Sequence, residues 1–200
     1  MKEAWNQKYS TEEYKYGKEP NQFLKSELPG FKPGRILFVG EGEGRNAVYA
    51  ATLGWFVDAI DFSDEGKRKA EKLAGEYSVN INYRVLDFSE FTPVLNYYDA
   101  VGLFFVHPEE EQRYELFEKL MNSLAPGGII IFECFAKEQL GYSSGGPKCE
   151  EQLYSLEEVV NYFIDLDFIK LSREIVFLKE GTGHRGEGMI IRLLAAKSNN

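Results

Sequence analysis

The strongest chemical signal in the chain is Ile36-Leu-Phe-Val-Gly-Glu-Gly-Glu-Gly-Arg-Asn46, an apolar run followed by three alternate glycines and the start of a helical pattern. Without side chains at Gly40, Gly42 and Gly44 a backbone can approach a ligand closely, and the amides of the helix beyond can receive an anion. Asp61 stands 21 residues after Gly40 at the end of the next apolar run, where a carboxylate can accept from both hydroxyls of a ribose. Asp87 ends a third run with Phe88 behind it, placed to accept from an adenine amino group while the ring packs on the base. Together these residues describe a nucleoside site. Two histidines add chemistry that titrates near neutral pH or orients an anionic substrate: His107 in Phe104-Phe-Val-His-Pro108, and His184, followed by Arg185, in a Gly-rich stretch. Glu109-Glu-Glu111 reads as a solvated first helical turn. There is no Gly-x-Ser-x-Gly elbow, Walker loop or His-Glu-x-x-His, and Cys134 and Cys149 lack metal spacing, so no metal is expected.

The elements that must position these groups alternate. Strand-like runs fall at 35–39, 56–60, 80–85, 98–105 and 128–133, nearly continuous in apolar character as strands buried on both faces are. Helical patterns lie between them at 45–53, 64–77, about 88–95 and 109–124. Repeated β-α units imply a parallel sheet with right-handed crossovers and helices on both faces. After Ser155-Leu-Glu-Glu158, a capping box opening a helix to about 165, two further strand-like runs at 170–178 and 187–196 flank the turn Glu180-Gly-Thr-Gly-His-Arg-Gly186 and read as a hairpin. Its first strand is expected to run parallel to the preceding five and to bring His184 and Arg185 to their carboxyl rim.

The chain has 200 residues, 44% hydrophobic and 28% charged, which suits one packed domain. A formal charge of −9 with no basic run argues against nucleic acid. The apolar stretches fall far short of the roughly 20 residues of a membrane helix. With no apolar signal core and two cysteines, a reduced cytoplasmic setting and a monomer or homodimer are expected.

The glycine turn, Asp61, Asp87, Leu124-Ala-Pro-Gly-Gly128 and the terminal hairpin resemble the class I S-adenosylmethionine-dependent methyltransferases over about 35–196. Gly44-Arg-Asn46, Trp5-Asn-Gln-Lys-Tyr9, Tyr16-Gly-Lys-Glu-Pro-Asn21 and Gly145-Gly-Pro-Lys148 further resemble the tellurite-resistance and thiopurine-methyltransferase-like branch. The resemblance implies a Rossmann-like, doubly wound, seven-stranded, mostly parallel sheet ending in an antiparallel hairpin strand. It implies S-adenosyl-L-methionine as cofactor, with the glycine turn on the methionine moiety, Asp61 on the ribose, and Asp87 with Phe88 on the adenine. The expected cofactor contacts are Gly40, Glu41, Gly42, Gly44, Arg45, Asn46, Asp61, Phe62, Asp87, Phe88, Phe105 and Tyr16. His107, His184 and Arg185 are the catalytic candidates, and Trp5, Tyr9 and Tyr142 are expected at a small-molecule acceptor, with residues 1–28 and 140–147 closing over the site. Where many members carry an acidic residue in the first strand this chain has Phe38, and where they carry a Cys or small residue between the first glycines it has Glu41. Two other readings remain: a nicotinamide-dependent oxidoreductase, since Gly42-Glu-Gly-Arg-Asn-Ala47 fits G-x-G-x-x-A, and a nucleoside-binding module without catalysis.

Overall fold

The computed structural model describes residues 2–199. Seven strands, β1 (Arg35–Val39), β2 (Phe56–Asp61), β3 (Asn82–Val85), β4 (Tyr98–Phe104), β5 (Leu124–Phe135), β6 (Asp167–Glu180) and β7 (His184–Ala196), form a sheet in the order β3-β2-β1-β4-β5-β7-β6. The first five pair in parallel, and β7 is antiparallel to both β5 and β6. β6 therefore runs in the direction of β5, as expected, and ends at the same rim. Strand order reverses between β1 and β4, the place where open α/β sheets bind ligands.

Both faces of the sheet are covered, which is why its strands read as unbroken apolar runs. Leu37 and Val39 of β1 belong to one core with Leu116, Phe117 and Leu120 of α5 (Glu110–Ser123) and Val159 of α6 (Leu156–Tyr162). Ile36 and Phe38 belong to the other, with Phe23 and Leu24 of α2 (Gln22–Glu27) and Ala47 and Ala50 of α3 (Arg45–Thr52). Phe38 is fully buried against Phe104, with Gly102 leaving room for its ring, so the first strand carries a packing residue at that position. The Ser155 hydroxyl accepts from the Glu158 amide while the Glu158 carboxylate accepts from the Ser155 amide, the reciprocal cap read from the sequence.

The N-terminal α1 (Lys2–Tyr9) docks on α4 (Asp64–Glu76) through polar groups. Asn6 Oδ1 accepts from the Ser63 hydroxyl at 2.6 Å, where Ser63 caps α4, and from the Glu65 amide at 3.3 Å. Lys69, 2% exposed, donates to the carbonyls of Thr11 and Glu13 at 2.8 and 2.6 Å and pairs with Glu43.

Three boundaries differ from expectation. The helix anticipated at about 88–95 is only a 3-10 turn, Phe88–Glu90: Asp87 and Glu90 cap each other, and Pro93 bars helix at the residue before it. The seven-residue hairpin turn contracts to Gly181, Thr182 and Gly183, because pairing continues through Lys179↔Arg185 and Glu180↔His184. The Leu124–Gly128 turn lies inside β5, where register jumps from Tyr98↔Leu124 to Ala100↔Ile129 and Gly127 takes a left-handed φ of 75°.

Candidate functional site

β1 delivers the chain into Gly40, Gly42 and Gly44, whose φ values of 65°, 60° and 88° favour glycine. The amides of Gly40 and Glu41 both donate to the Ile60 carbonyl and lock the turn to β2. The three glycines serve different neighbours. A Cβ on Gly42 would lie 2.7 Å from the Tyr9 hydroxyl, and one on Gly44 would lie 2.5 Å from Ala70 Cβ, so these two admit α1 and α4 rather than a ligand. Gly40 lines a cavity of about 640 Å³ at the carboxyl ends of the parallel strands. The helix amides expected to receive an anion are already used: Glu41 Oε1 accepts from the Asn46 and Ala47 amides at 2.9 and 2.7 Å. Burial pushes the Glu41 carboxyl up to about 8 against those bonds.

Asp61 closes β2 beside the same cavity. Its two oxygens accept one amide each, from Gly42 at 2.9 Å and from Ser63 at 2.9 Å, and each keeps a lone pair for a further donor. Burial raises its carboxyl to about 6. Phe62 and Phe88 meet on the cavity wall with ring centroids 5.9 Å apart and planes tilted by 54°, and Asp87 lines the same cavity. Asp87 is exposed and its Oδ1 caps the 3-10 turn through Ser89, the ordinary strand-end role, while its side chain also borders the cavity.

The opposite wall is aromatic and carries both histidines. His184 is not on a solvated tip: it begins β7, is 4% exposed, and packs on Tyr16, Phe105 and Phe135 with ring centroids 4.6, 4.4 and 5.1 Å away. Phe105 reaches it by a left-handed φ of 57° just past β4, a strained setting for a bulky residue that its amide secures by donating to the Glu133 carbonyl. His184 Nδ1 lies 2.8 Å from Glu180 Oε2; a carboxylate only accepts, so Nδ1 carries the hydrogen and Nε2 is left as the acceptor. Burial raises Glu180, but Arg45 at 2.9 Å and His184 outweigh it and hold the carboxyl at about 2, and burial lowers His184. Asn21 extends the cluster: its Nδ2 donates to Glu133 Oε1 at 2.6 Å and to Glu180 Oε1 at 3.4 Å, its amide donates to Asn46 Oδ1, and Arg192 closes on Glu133 at 2.6 Å. His107, beyond Phe135, places Nδ1 2.7 Å from the Gln152 carbonyl, and burial lowers it to about 3.

The cavity thus gathers Gly40, Glu41, Asp61, Phe62, Asp87 and Phe88 on one side and Arg45, Asn46, Phe105, His107 and His184 on the other, with Trp5, Tyr9 and Tyr16 from the N-terminal segment. Arg185 is exposed and Tyr142 half-buried, and both lie outside its lining; from the 140–147 loop Gly145, Gly146 and Pro147 reach it. Sequence reasoning missed Glu180, Phe135, Gln152, Asn21 and Glu133. Only Glu180 left a trace, four residues before His184 across a short hairpin. Among the described residues no helix is long and apolar enough to cross a membrane.

A doubly wound sheet with a cavity at its switch point defines a Rossmann-like α/β fold of the methyltransferase architecture. Residues 36–128 match a family model described as a methyltransferase domain, which covers β1 to the start of β5. That match takes in 93 of the 200 residues and is to a methyltransferase domain. The branch within that class is a separate matter. A protein described for the conversion of a disulfide bond into a thioacetal group during echinomycin biosynthesis shares the fold at TM-score 0.78 and 16% identity, over 100% of this chain and 93% of its own. TehB from Haemophilus influenzae does so at 0.74 and 17%, over 98% and 67%. Magnesium protoporphyrin IX methyltransferase from Synechocystis PCC 6803, with bound S-adenosylhomocysteine, does so at 0.67 and 18%, over 88% and 82%. At such identities the likeness shows the fold. No curated protein sequence matches the chain.

The residues present fit the cofactor. Asp61 has acceptor capacity left, Phe62 and Phe88 offer an aromatic slot, and the volume lies in the range of small-molecule sites, about 300–1,000 Å³.

Proposed function

We propose that the chain transfers a methyl group to a small-molecule acceptor, a soft nucleophile of the thiol, selenium or tellurium type, in a reaction completed within one domain. S-Adenosylmethionine supplies the methyl group from a sulfonium when bound. In this reading Asp61 accepts from the ribose hydroxyls, Asp87 and Phe88 hold the adenine, and Gly40 with Tyr16 and Arg45 borders the methionine portion. Trp5 and Tyr9 belong to a cap formed by residues 1–28, which excludes water and presses the acceptor toward the aromatic wall. Methyl transfer from a sulfonium needs no covalent enzyme intermediate, and holding a nucleophile about 3 Å from the methyl carbon supplies much of the rate.

The observation that carries the proposal is the convergence on one cavity of Asp61, the Phe62-Phe88 slot and the two histidines, at the carboxyl edge of a sheet whose β1–β4 segment matches the methyltransferase model. Calorimetry with S-adenosylhomocysteine tests it. Asp61→Ala removes an ionised acceptor and is expected to weaken binding by about 1–3 kcal/mol. Unchanged affinity with the fold intact would end the ribose assignment. Methyl transfer to a panel of thiols, selenite and tellurite separates an enzyme from a binding module.

A further inference from the structure

β6 is an open edge of the sheet. Among the described residues it pairs only with β7, and from Lys170 to Glu180 the register is regular, the bulge between Phe168 and Lys170 lying before it. Bonds on the far side of β7 tell which way each β6 residue points. The Met189 carbonyl accepts from the Ala136 amide just past β5 and the Met189 amide donates to Gln139 Oε1, both away from β6. The Arg185 amide likewise donates to the Ser144 carbonyl. Their partners across the hairpin, Ile175 and Lys179, therefore stand in non-hydrogen-bonded pairs and turn their own N–H and C=O groups outward. By alternation so do Leu171, Arg173 and Phe177, and a row of unpaired backbone groups runs the length of the regular stretch.

Such a row templates another strand, and free edges are commonly blunted by proline or by shortness. β6 has neither: it runs 14 residues without a proline, and Ile175 and Phe177, on the same face as Arg173, are 54% and 65% exposed. Its charges suit a second copy of itself. Two identical strands meeting antiparallel about a two-fold axis normal to the sheet must set residues of the same parity opposite each other, because side-chain face and bonding direction both repeat every two residues. Each permitted register therefore has one residue on the axis. With Arg173 or Glu174 there, like charges meet; with Val176 there, Arg173 faces Lys179; with Phe177 there, Glu174 faces Glu180. An axis at Ser172 runs the pairing into the bulge, and one at Leu178 leaves only a short overlap. With Ile175 on the axis no like charges meet: Ile175 faces Ile175, Arg173 faces the Phe177 ring, and Lys170 faces Glu180. The outward groups from Leu171 to Lys179 then all find partners.

We propose that β6 is the docking surface for a second copy of this chain, in an isologous pair centred on Ile175 that joins the two sheets into one. The inference stands apart from the methyltransferase reading. A two-fold axis normal to the sheet reverses strand direction, so the two cavities open at opposite edges of the joined sheet and the second copy covers neither. The pairing reaches Glu180, so each copy braces the strand that carries the other's carboxylate to Arg45 and His184.

Sedimentation velocity of the full chain over a dilution series tests the proposal, and a dimer is expected. Ile175 is more than half exposed, so the fold accepts a charged side chain there. Ile175→Lys sets two ammonium groups against each other on the axis, and Ile175→Glu two carboxylates. Each variant is expected to raise the dimer dissociation constant about tenfold or more while keeping the native circular dichroism spectrum. An equimolar mixture of the two is expected to restore the dimer, because Lys then faces Glu. Cysteines check the register. In a Cys149→Ser background, which removes the exposed thiol, Glu174→Cys and Val176→Cys are expected to form a mixed disulfide when combined and treated with diamide, and neither to link to itself. A native chain that sediments as a monomer throughout, a dimer that survives Ile175→Lys, a mixture that stays monomeric, or self-linkage of Glu174→Cys refutes the proposal.

Discussion

Replacing Glu41 by Gln is expected to change how stability depends on pH. Glu41 is 8% exposed and its carboxyl accepts two amides at the start of α3, so a short-range contest decides its charge. Helix-terminal amides favour the ionised form by about 0.3–1 kcal/mol, and up to about 2 when partly buried. Burial of a carboxylate costs several kcal/mol and wins, raising the group from 4.5 to about 8. The folded value lies above the unfolded one, so the stabilisation from neutral Glu41 is complete below about 4.5 and is lost as pH rises to about 8. Asp61 adds a similar loss only up to about 6, and the histidines, lowered by burial, cost stability only as pH falls below 6.5. Between pH 6.5 and 8 the difference between Glu41→Gln and the native chain isolates Glu41. The amide oxygen of Gln keeps the bonds to Asn46 and Ala47 without the charge. Denaturant unfolding across that window should show the gap moving in the variant's favour by about 2 kcal/mol. A gap that stays constant or moves the other way means that the helix amides hold Glu41 ionised and that the burial argument is wrong.

The remaining expectations concern the N-terminal segment. Lys69→Met strands Glu43 in the interior and should cost about 3–5 kcal/mol, most of it recovered by adding Glu43→Gln; a loss below about 1 kcal/mol in denaturant unfolding counts against a buried pair. Gly42→Ala drives a Cβ at the Tyr9 hydroxyl and should raise hydrogen exchange in Lys2–Tyr9 while the β1 amides stay protected; unchanged exchange in α1 shows that the contact is slack. If residues 1–28 close over the ligand, S-adenosylhomocysteine slows exchange at Tyr9 and Tyr16, and no added protection before residue 28 makes the segment scaffold.

Local signals carried the sheet and failed where structure depends on distant partners. β1 was legible to the residue, because a run buried on both faces is apolar throughout and Gly40 ends it sharply. The hairpin was found but cut short: Lys179, Glu180 and Arg185 have no strand preference, and only their register with one another extends β6 and β7. The glycine turn was recognised for a property that only part of it has. Spacing announces that no side chain fits at Gly42 and Gly44, yet it cannot say that Tyr9 and Ala70 are what would be struck. Arg185 and His184 looked equivalent as neighbours on a turn; strand alternation sends one to solvent and the other into the wall.

The deepest part of the site was illegible because it is assembled from charges far apart in the chain, and its logic is positional. A buried carboxylate such as Glu180 is tolerable only with partners, and it has Arg45 from the turn after β1, His184 from the start of β7 and Asn21 from the cap of α2. Glu133 in β5 is held by Arg192 and the same Asn21, so one asparagine joins two buried carboxylates. Each bond is directional and each partner would be left uncompensated if the others moved, so the hairpin cannot slide relative to the glycine turn without exposing a desolvated charge. This fixes the distance between the Asp61 side of the cavity and the histidine side. A reaction that depends on holding a nucleophile to within a fraction of an ångström of a methyl carbon needs such a constraint, and an apolar contact, which is non-directional, would supply it less well.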